Sequence, residues 1–115
     1  MIKSVSVPPV ALWNARENVL SHGGLRLDVL RHRCLVGELE LTLTVTEFDL
    51  LRTLLARPGQ VFSRAELVEH AYGDGHHVSE RTVDSHLRRV RQKLAAHGSD
   101  PIETVYGMGY RLKDA

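Results

Sequence analysis

The sequence predicts an α+β domain with an N-terminal antiparallel sheet, three helices and a C-terminal β-hairpin. Three observations carry that expectation. Apolar residues alternate between Val19 and Leu43 at the period of a half-buried strand. Two capping boxes, Thr44-Val45-Thr46-Glu47 and Ser63-Arg64-Ala65-Glu66, then open segments of helical period. Beyond Gly98 and Pro101, two strand-like runs flank Gly107-Met108-Gly109.

The 115 residues hold one ordinary domain, and 43% hydrophobic with 25% charged residues is the balance of a globular protein. No apolar run approaches the roughly 20 residues that cross a bilayer. Pro8-Pro9 interrupts the N-terminus before any signal-like stretch forms, so a soluble, cytoplasmic protein is expected. The single cysteine, Cys34, has no partner for a disulfide within the chain.

Residues 1–18 show no sustained period and read as a leader or linker ahead of a domain at 19–115. In the predicted sheet Leu25, Leu27 and Val29 alternate, as do Leu39, Leu41 and Leu43, with Cys34 and Val36 between them. Gly23-Gly24 and Gly37 supply turns. The first helix carries an apolar stripe of Phe48, Leu51, Leu54 and Leu55 and stops at Pro58-Gly59. The second buries Leu67, Val68, Ala71 and Tyr72 and ends at Gly73 and Gly75.

The third helix, about Ser79 to Ala96, is the most informative stretch. Val83, Leu87, Val90 and Leu94 fall in a narrow arc at about 100° per residue. The opposite arc carries Arg81, Ser85, Arg88 and Gln92, flanked by Thr82 and Arg89. Strands at Ile102–Tyr106 and Tyr110–Lys113 then form the hairpin.

The charge is concentrated at this end. Residues 1–80 hold eight Lys and Arg against ten Asp and Glu, whereas residues 81–115 hold seven against four. A basic C-terminal surface is the usual footprint of a polyanion partner. Most basic helix faces are merely solvated. Here, however, nearly all the cations are arginines, whose planar fork suits phosphates and guanine edges. They alternate with hydroxyls and an amide instead of with glutamates at helical pairing distance. Two capped helices, an arginine-faced helix and a glycine-tipped hairpin describe a winged helix-turn-helix, with the third helix in the major groove and the wing on the adjacent backbone.

Three stretches, LTLTVTEFDLLRTLLARPGQVFSRAEL (41–67), SERTVDSHLRRVRQKL (79–94) and IETVYGMGYRL (102–112), resemble the effector domain of OmpR/PhoB-type response regulators. The resemblance runs from about Val19 to Leu112. It implies sequence-specific binding of double-stranded DNA for transcription regulation, in pairs on repeated half-sites. It carries DNA contacts onto Arg81, Thr82, Asp84, Ser85, His86, Arg88, Arg89 and Arg91 of the helix, Thr104 and Tyr106 of the wing, and Tyr72. Arg89 is implied to read a base edge, with Thr82 and Asp84 nearby, while Arg81, His86, Arg88 and Arg91 hold phosphates. The Arg57–Ser63 loop resembles the segment that members use to touch RNA polymerase.

Two positions depart from the family pattern. Tyr106 stands where a minor-groove arginine is common, which points to a weaker or apolar wing contact. Val45 replaces the usual proline of the first helical turn and bears on stability more than on function. Members also carry a receiver domain phosphorylated by a sensor kinase, for which this length leaves no room. The chain is therefore expected to be an excised effector domain in preference to a stand-alone regulator.

Other chemistries fit less well. His70, His76 and His77 lack the spacing of a zinc site, so no metal or other cofactor is expected. No nucleophile elbow, P-loop or paired-carboxylate pattern occurs, and Cys34 reads as a small buried hydrophobe, so the chain is not expected to be an enzyme. The alternative is a winged-helix protein-protein interaction module with vestigial DNA affinity. Such a module is expected to lose the arginine face that this sequence keeps.

Overall fold

The structure, a computed structural model, describes residues 19–71 and 79–113. The leader at 1–18, Tyr72, Gly73, Gly75, His76 and His77 lie outside the described residues.

Four strands, β1 (Val19–His22), β2 (Leu25–Asp28), β3 (Arg33–Val36) and β4 (Leu39–Leu41), form an antiparallel meander in sequence order. Leu27 lies opposite both Leu20 and Cys34, and Cys34 opposite Leu41, so Leu25, Leu27, Cys34 and Leu41 share the buried face. The Gly37 amide donates to the Gly24 carbonyl at 2.8 Å, joining the two hairpin turns at one end of the sheet. The expected alternation fails at two places. β2 stops at Asp28, leaving Val29 in the following turn, and Leu39 at the start of the edge strand is 57% exposed.

Both capping boxes form. Before α1 (Val45–Ala56), the Thr44 hydroxyl accepts the Glu47 amide and the Glu47 carboxylate accepts the Thr44 amide. Before α2 (Arg64–Ala71), Ser63 and Glu66 exchange the same two bonds at 3.1 and 2.8 Å. Each pair satisfies amides that the first helical turn would otherwise leave open. Ser79 precedes α3 (Glu80–Ala95) in extended conformation, and its side chain makes no capping bond.

Val83, Leu87, Val90 and Leu94 of α3 are all fully buried. They join Leu50, Leu51 and Leu54 of α1, Leu67 of α2 and the sheet in one core. The hairpin closes that core through Ile102 of β5 (Ile102–Val105) and Leu112 of β6 (Gly109–Leu112). β5 is one residue shorter than expected, for Tyr106 lies in the turn, and β6 is shifted by one residue to begin at Gly109 and end at Leu112.

The loop between α1 and α2 pairs with the hairpin through an isolated antiparallel bridge, which the sequence pattern did not reveal. The Phe62 amide donates to the Tyr110 carbonyl at 2.8 Å, and the Tyr110 amide returns a bond to the Phe62 carbonyl at 2.9 Å. The Gly59 amide adds a bond to the Leu112 carbonyl at 2.9 Å. Gly59 and Phe62 of the Arg57–Ser63 loop are thereby fastened to β6.

Candidate nucleic-acid interface

The buried arc of α3 leaves the opposite arc to solvent. Arg81, Thr82, Ser85, Arg88, Arg89 and Gln92 are all exposed, in the strip that periodicity had predicted. Thr82 turns its hydroxyl proton to the Ser79 carbonyl at 2.9 Å.

The two flanks of the strip are tied down. On one side, Lys93 reaches the Glu47 carboxylate of α1 at 2.6 Å, although Glu47 is only 1% exposed. Burial drives the Glu47 carboxyl upward, but Lys93, the Thr44 amide and the charge of Arg89 together hold it below the usual carboxylate range. On the other side, Arg91 Nη1 donates to Thr104 Oγ1 of β5 at 2.9 Å. Asp84, on the same side, accepts Arg64 Nε of α2 at 2.9 Å and the Tyr110 hydroxyl of β6 on one oxygen, Oδ1. Arg64 and that hydroxyl hold the Asp84 carboxyl below its ordinary value, while burial and Asp84 push the Tyr110 phenol up.

A groove of about 610 Å³ runs between α3 and the hairpin, lined among others by Arg88, Arg91, Gln92 and Tyr110. At the hairpin tip Tyr106 is 93% exposed and Met108 61%. The wing therefore offers an aromatic ring and a thioether at its end. His86 is half-buried, and its Nδ1 is enclosed without a hydrogen-bond partner. Cys34 is buried in β3, where burial lifts its thiol to about 11 and suppresses the thiolate.

The structure thus separates the expected site residues into three groups. Arg81, Thr82, Ser85, Arg88, Arg89 and Tyr106 face solvent, Asp84, Arg91 and Thr104 hold α3 against its neighbours, and His86 is partly enclosed. Tyr72 lies outside the described residues. Sequence reasoning missed Arg64, Tyr110 and Lys93 as the partners that hold the strip in place. Their only signal was polar chemistry at positions 20, 26 and 46 residues from the groups they meet.

A helix pair, an arginine-lined third helix and a hairpin beside it define a winged helix-turn-helix module. Residues 38–112 match the family described as "Transcriptional regulatory protein, C terminal", and the chain belongs to that family.

Over 99 residues the chain is 43% identical to the phosphate regulon transcriptional regulatory protein PhoB of Escherichia coli (strain K12), covering 85% of this chain and 43% of that protein. The sensory transduction protein RegX3 of Mycobacterium leprae (strain TN) is 37% identical over 99 residues, 84% of this chain and 50% of that protein. The chain thus spans about half the length of the curated relatives it matches.

Among solved structures, the response regulator AdeR DNA-binding domain in complex with an intercistronic region superposes with a TM-score of 0.73 at 32% identity, covering 83% of this chain and 99% of that one. The Klebsiella pneumoniae RstA DNA-binding domain in complex with the RstA box gives 0.71 at 28% identity, covering 84% and 98%.

Proposed function

We propose that this chain binds double-stranded DNA sequence-specifically and regulates transcription as the effector domain of a two-component response regulator. In this reading α3 enters the major groove and the hairpin lies on the adjacent backbone. The observation that carries it is the exposed strip of Arg81, Thr82, Ser85, Arg88, Arg89 and Gln92, held at both flanks by bonds to α1, α2 and the hairpin. A surface intended only for solvent has no need of two-sided fixation, whereas groove reading needs the helix at a set angle.

Arg89 is the base-edge reader, and Arg81 and Arg88 hold phosphates. Arg91 and His86 contribute at the edges of the strip. Thr104 contributes a contact to the DNA backbone, and Tyr106 makes an apolar wing contact. Pairing on repeated half-sites, an RNA polymerase contact through the Arg57–Ser63 loop, and control by a receiver domain and its sensor kinase belong to the same reading, as does the absence of catalysis.

The test is recovery of bound fragments from a random duplex pool at about physiological salt, followed by sequencing. A short motif repeated at about one helical turn is the expected result. Affinity for the recovered duplex is expected to fall steeply with salt, because each neutralised phosphate releases counterions. An apolar protein interface would respond little, and that outcome would favour an interaction module.

Single substitutions divide the roles. Arg89→Ala is expected to relax preference at one base position and cost about 1–3 kcal/mol on the recovered duplex. Arg88→Ala should weaken all duplexes to a similar degree and flatten the salt slope by about one unit. Quantitative binding to a panel of single-base variants checks both. Equal loss on every sequence for Arg89→Ala would make it a phosphate contact.

A further inference from the structure

We propose that Asp84 is a positioning residue that sets the angle between α3 and the hairpin and is not a reader of base edges, an inference that rests on α3 entering the major groove. The residue lies within the DNA-facing helix, where a free carboxylate repels phosphates. Its geometry gives it a different task.

Three elements converge on one oxygen. Arg64, the first residue of α2, donates Nε to Asp84 Oδ1 at 2.9 Å, and the Tyr110 hydroxyl of β6 donates to the same atom. The Arg64 guanidinium also lies over the Tyr110 ring, 5.8 Å from its centroid. The Tyr110 backbone is itself fastened in both directions to Phe62, two residues before Arg64. Arg64, Asp84, Tyr110 and Phe62 therefore close a ring that includes α2, α3 and the hairpin. Charge-assisted bonds of this kind are shorter and stronger than neutral ones.

A second attachment makes the angle determinate. Asp84 and Arg91 stand about two turns apart on the same flank of α3. The first holds β6 and the second holds Thr104 of β5. With Ile102 and Leu112 already seating the hairpin on the core, these two bonds along the helix axis hold it against α3 at two points and set its direction. The spacing between the groove-reading strip and the Tyr106 wing tip follows from that direction.

The test starts with the native chain and a random duplex pool. Failure to recover a shared motif would count against the DNA-binding reading itself, before any variant is made. On the recovered duplex and its single-base variants, Asp84→Ala is expected to weaken binding by a common factor, roughly three- to tenfold. Asp84→Asn, which keeps an acceptor oxygen, should recover part of that loss. Relaxed preference at one base pair would instead identify a base reader and overturn the proposal. A gain in affinity on every duplex would overturn it too, by showing an unpaired repulsive acid.

Tyr110→Phe should cost affinity in the native background and little in Asp84→Ala, because both changes open the same ring. Equal cost in the two backgrounds contradicts the coupling. Without DNA, hydrogen exchange of the amides at 105–110 should quicken in Asp84→Ala while those of α1 stay protected. Unchanged exchange in the hairpin would also overturn the proposal.

Discussion

Replacing Gly109 by alanine is expected to remove a large part of the stability of the fold. Gly109 is buried at the start of β6 with φ +144°, a backbone conformation that L side chains rarely adopt. A Cβ there would sit 2.0 Å from the Phe62 carbonyl oxygen, 2.8 Å from its carbonyl carbon and 2.9 Å from Ser63 Cα. All three are backbone atoms, so no flexible side-chain end can yield. They lie in and next to the pairing of Phe62 with Tyr110, which must separate to admit the methyl group.

Strain and lost pairing together should cost about 3 kcal/mol or more. Against a typical domain stability of about 5–15 kcal/mol that is a large fraction. The midpoint of thermal unfolding should fall by about 10 °C or more. Gly107 is the control, with φ +79° and nothing within 4 Å of an added Cβ. Gly107→Ala should therefore cost only about 1–2 kcal/mol, the conformational penalty alone. Thermal and urea unfolding of the two variants decide the matter. Equal losses would show that the approach of β6 to Phe62 is not the constraint.

Lys93→Met should also destabilise the fold, with a pH dependence that identifies its cause. The Glu47 carboxylate is buried and takes the Lys93 ammonium on the oxygen that also accepts the Thr44 amide. Removing the cation leaves a buried charge with one amide bond and the more distant Arg89 to support it. Glu47 is buried but the Lys93 side chain is 36% exposed, so losing the cation should cost about 1–2 kcal/mol at neutral pH, less than for a fully buried pair.

The sign of the pH dependence follows from the direction of the shift. In the native protein the folded carboxyl titrates below its unfolded value. Its stabilisation is complete above the unfolded value and is lost as pH falls through the folded one. In Lys93→Met burial acts with less opposition, so the folded value moves up and protonation relieves the buried charge earlier. The stability gap between native and variant should therefore narrow as pH falls from about 7 to about 4. Urea unfolding across that range measures it. A gap independent of pH would mean that Lys93 matters through packing of its aliphatic stem.

The exposed strip on α3 was legible because it depends on local rules. A period of 3.6 assigned Val83, Leu87, Val90 and Leu94 to the core, which left Arg81, Ser85, Arg88 and Gln92 to solvent. The two capping boxes were legible for the same reason, since each involves groups three residues apart. Alternation placed the inward row Leu25, Leu27, Cys34 and Leu41 correctly. It erred at Leu39, where a strand period cannot tell which residues of an edge strand find cover.

By itself, then, the sequence determined the order of elements, the caps, the face each helix buries and the arginine character of the surface left over. Only the tertiary structure decided how that surface is aimed. Glu47 read as a cap alone until the fold brought Lys93 to it, and Asp84 read, through the family resemblance, as a DNA contact beside Arg89 until Arg64 and Tyr110 met on its oxygen. Short-range periodicity and capping are set by backbone geometry within a turn or two. Bonds across 20 to 46 residues exist only once packed helices and the hairpin bring distant side chains within about 3 Å of each other.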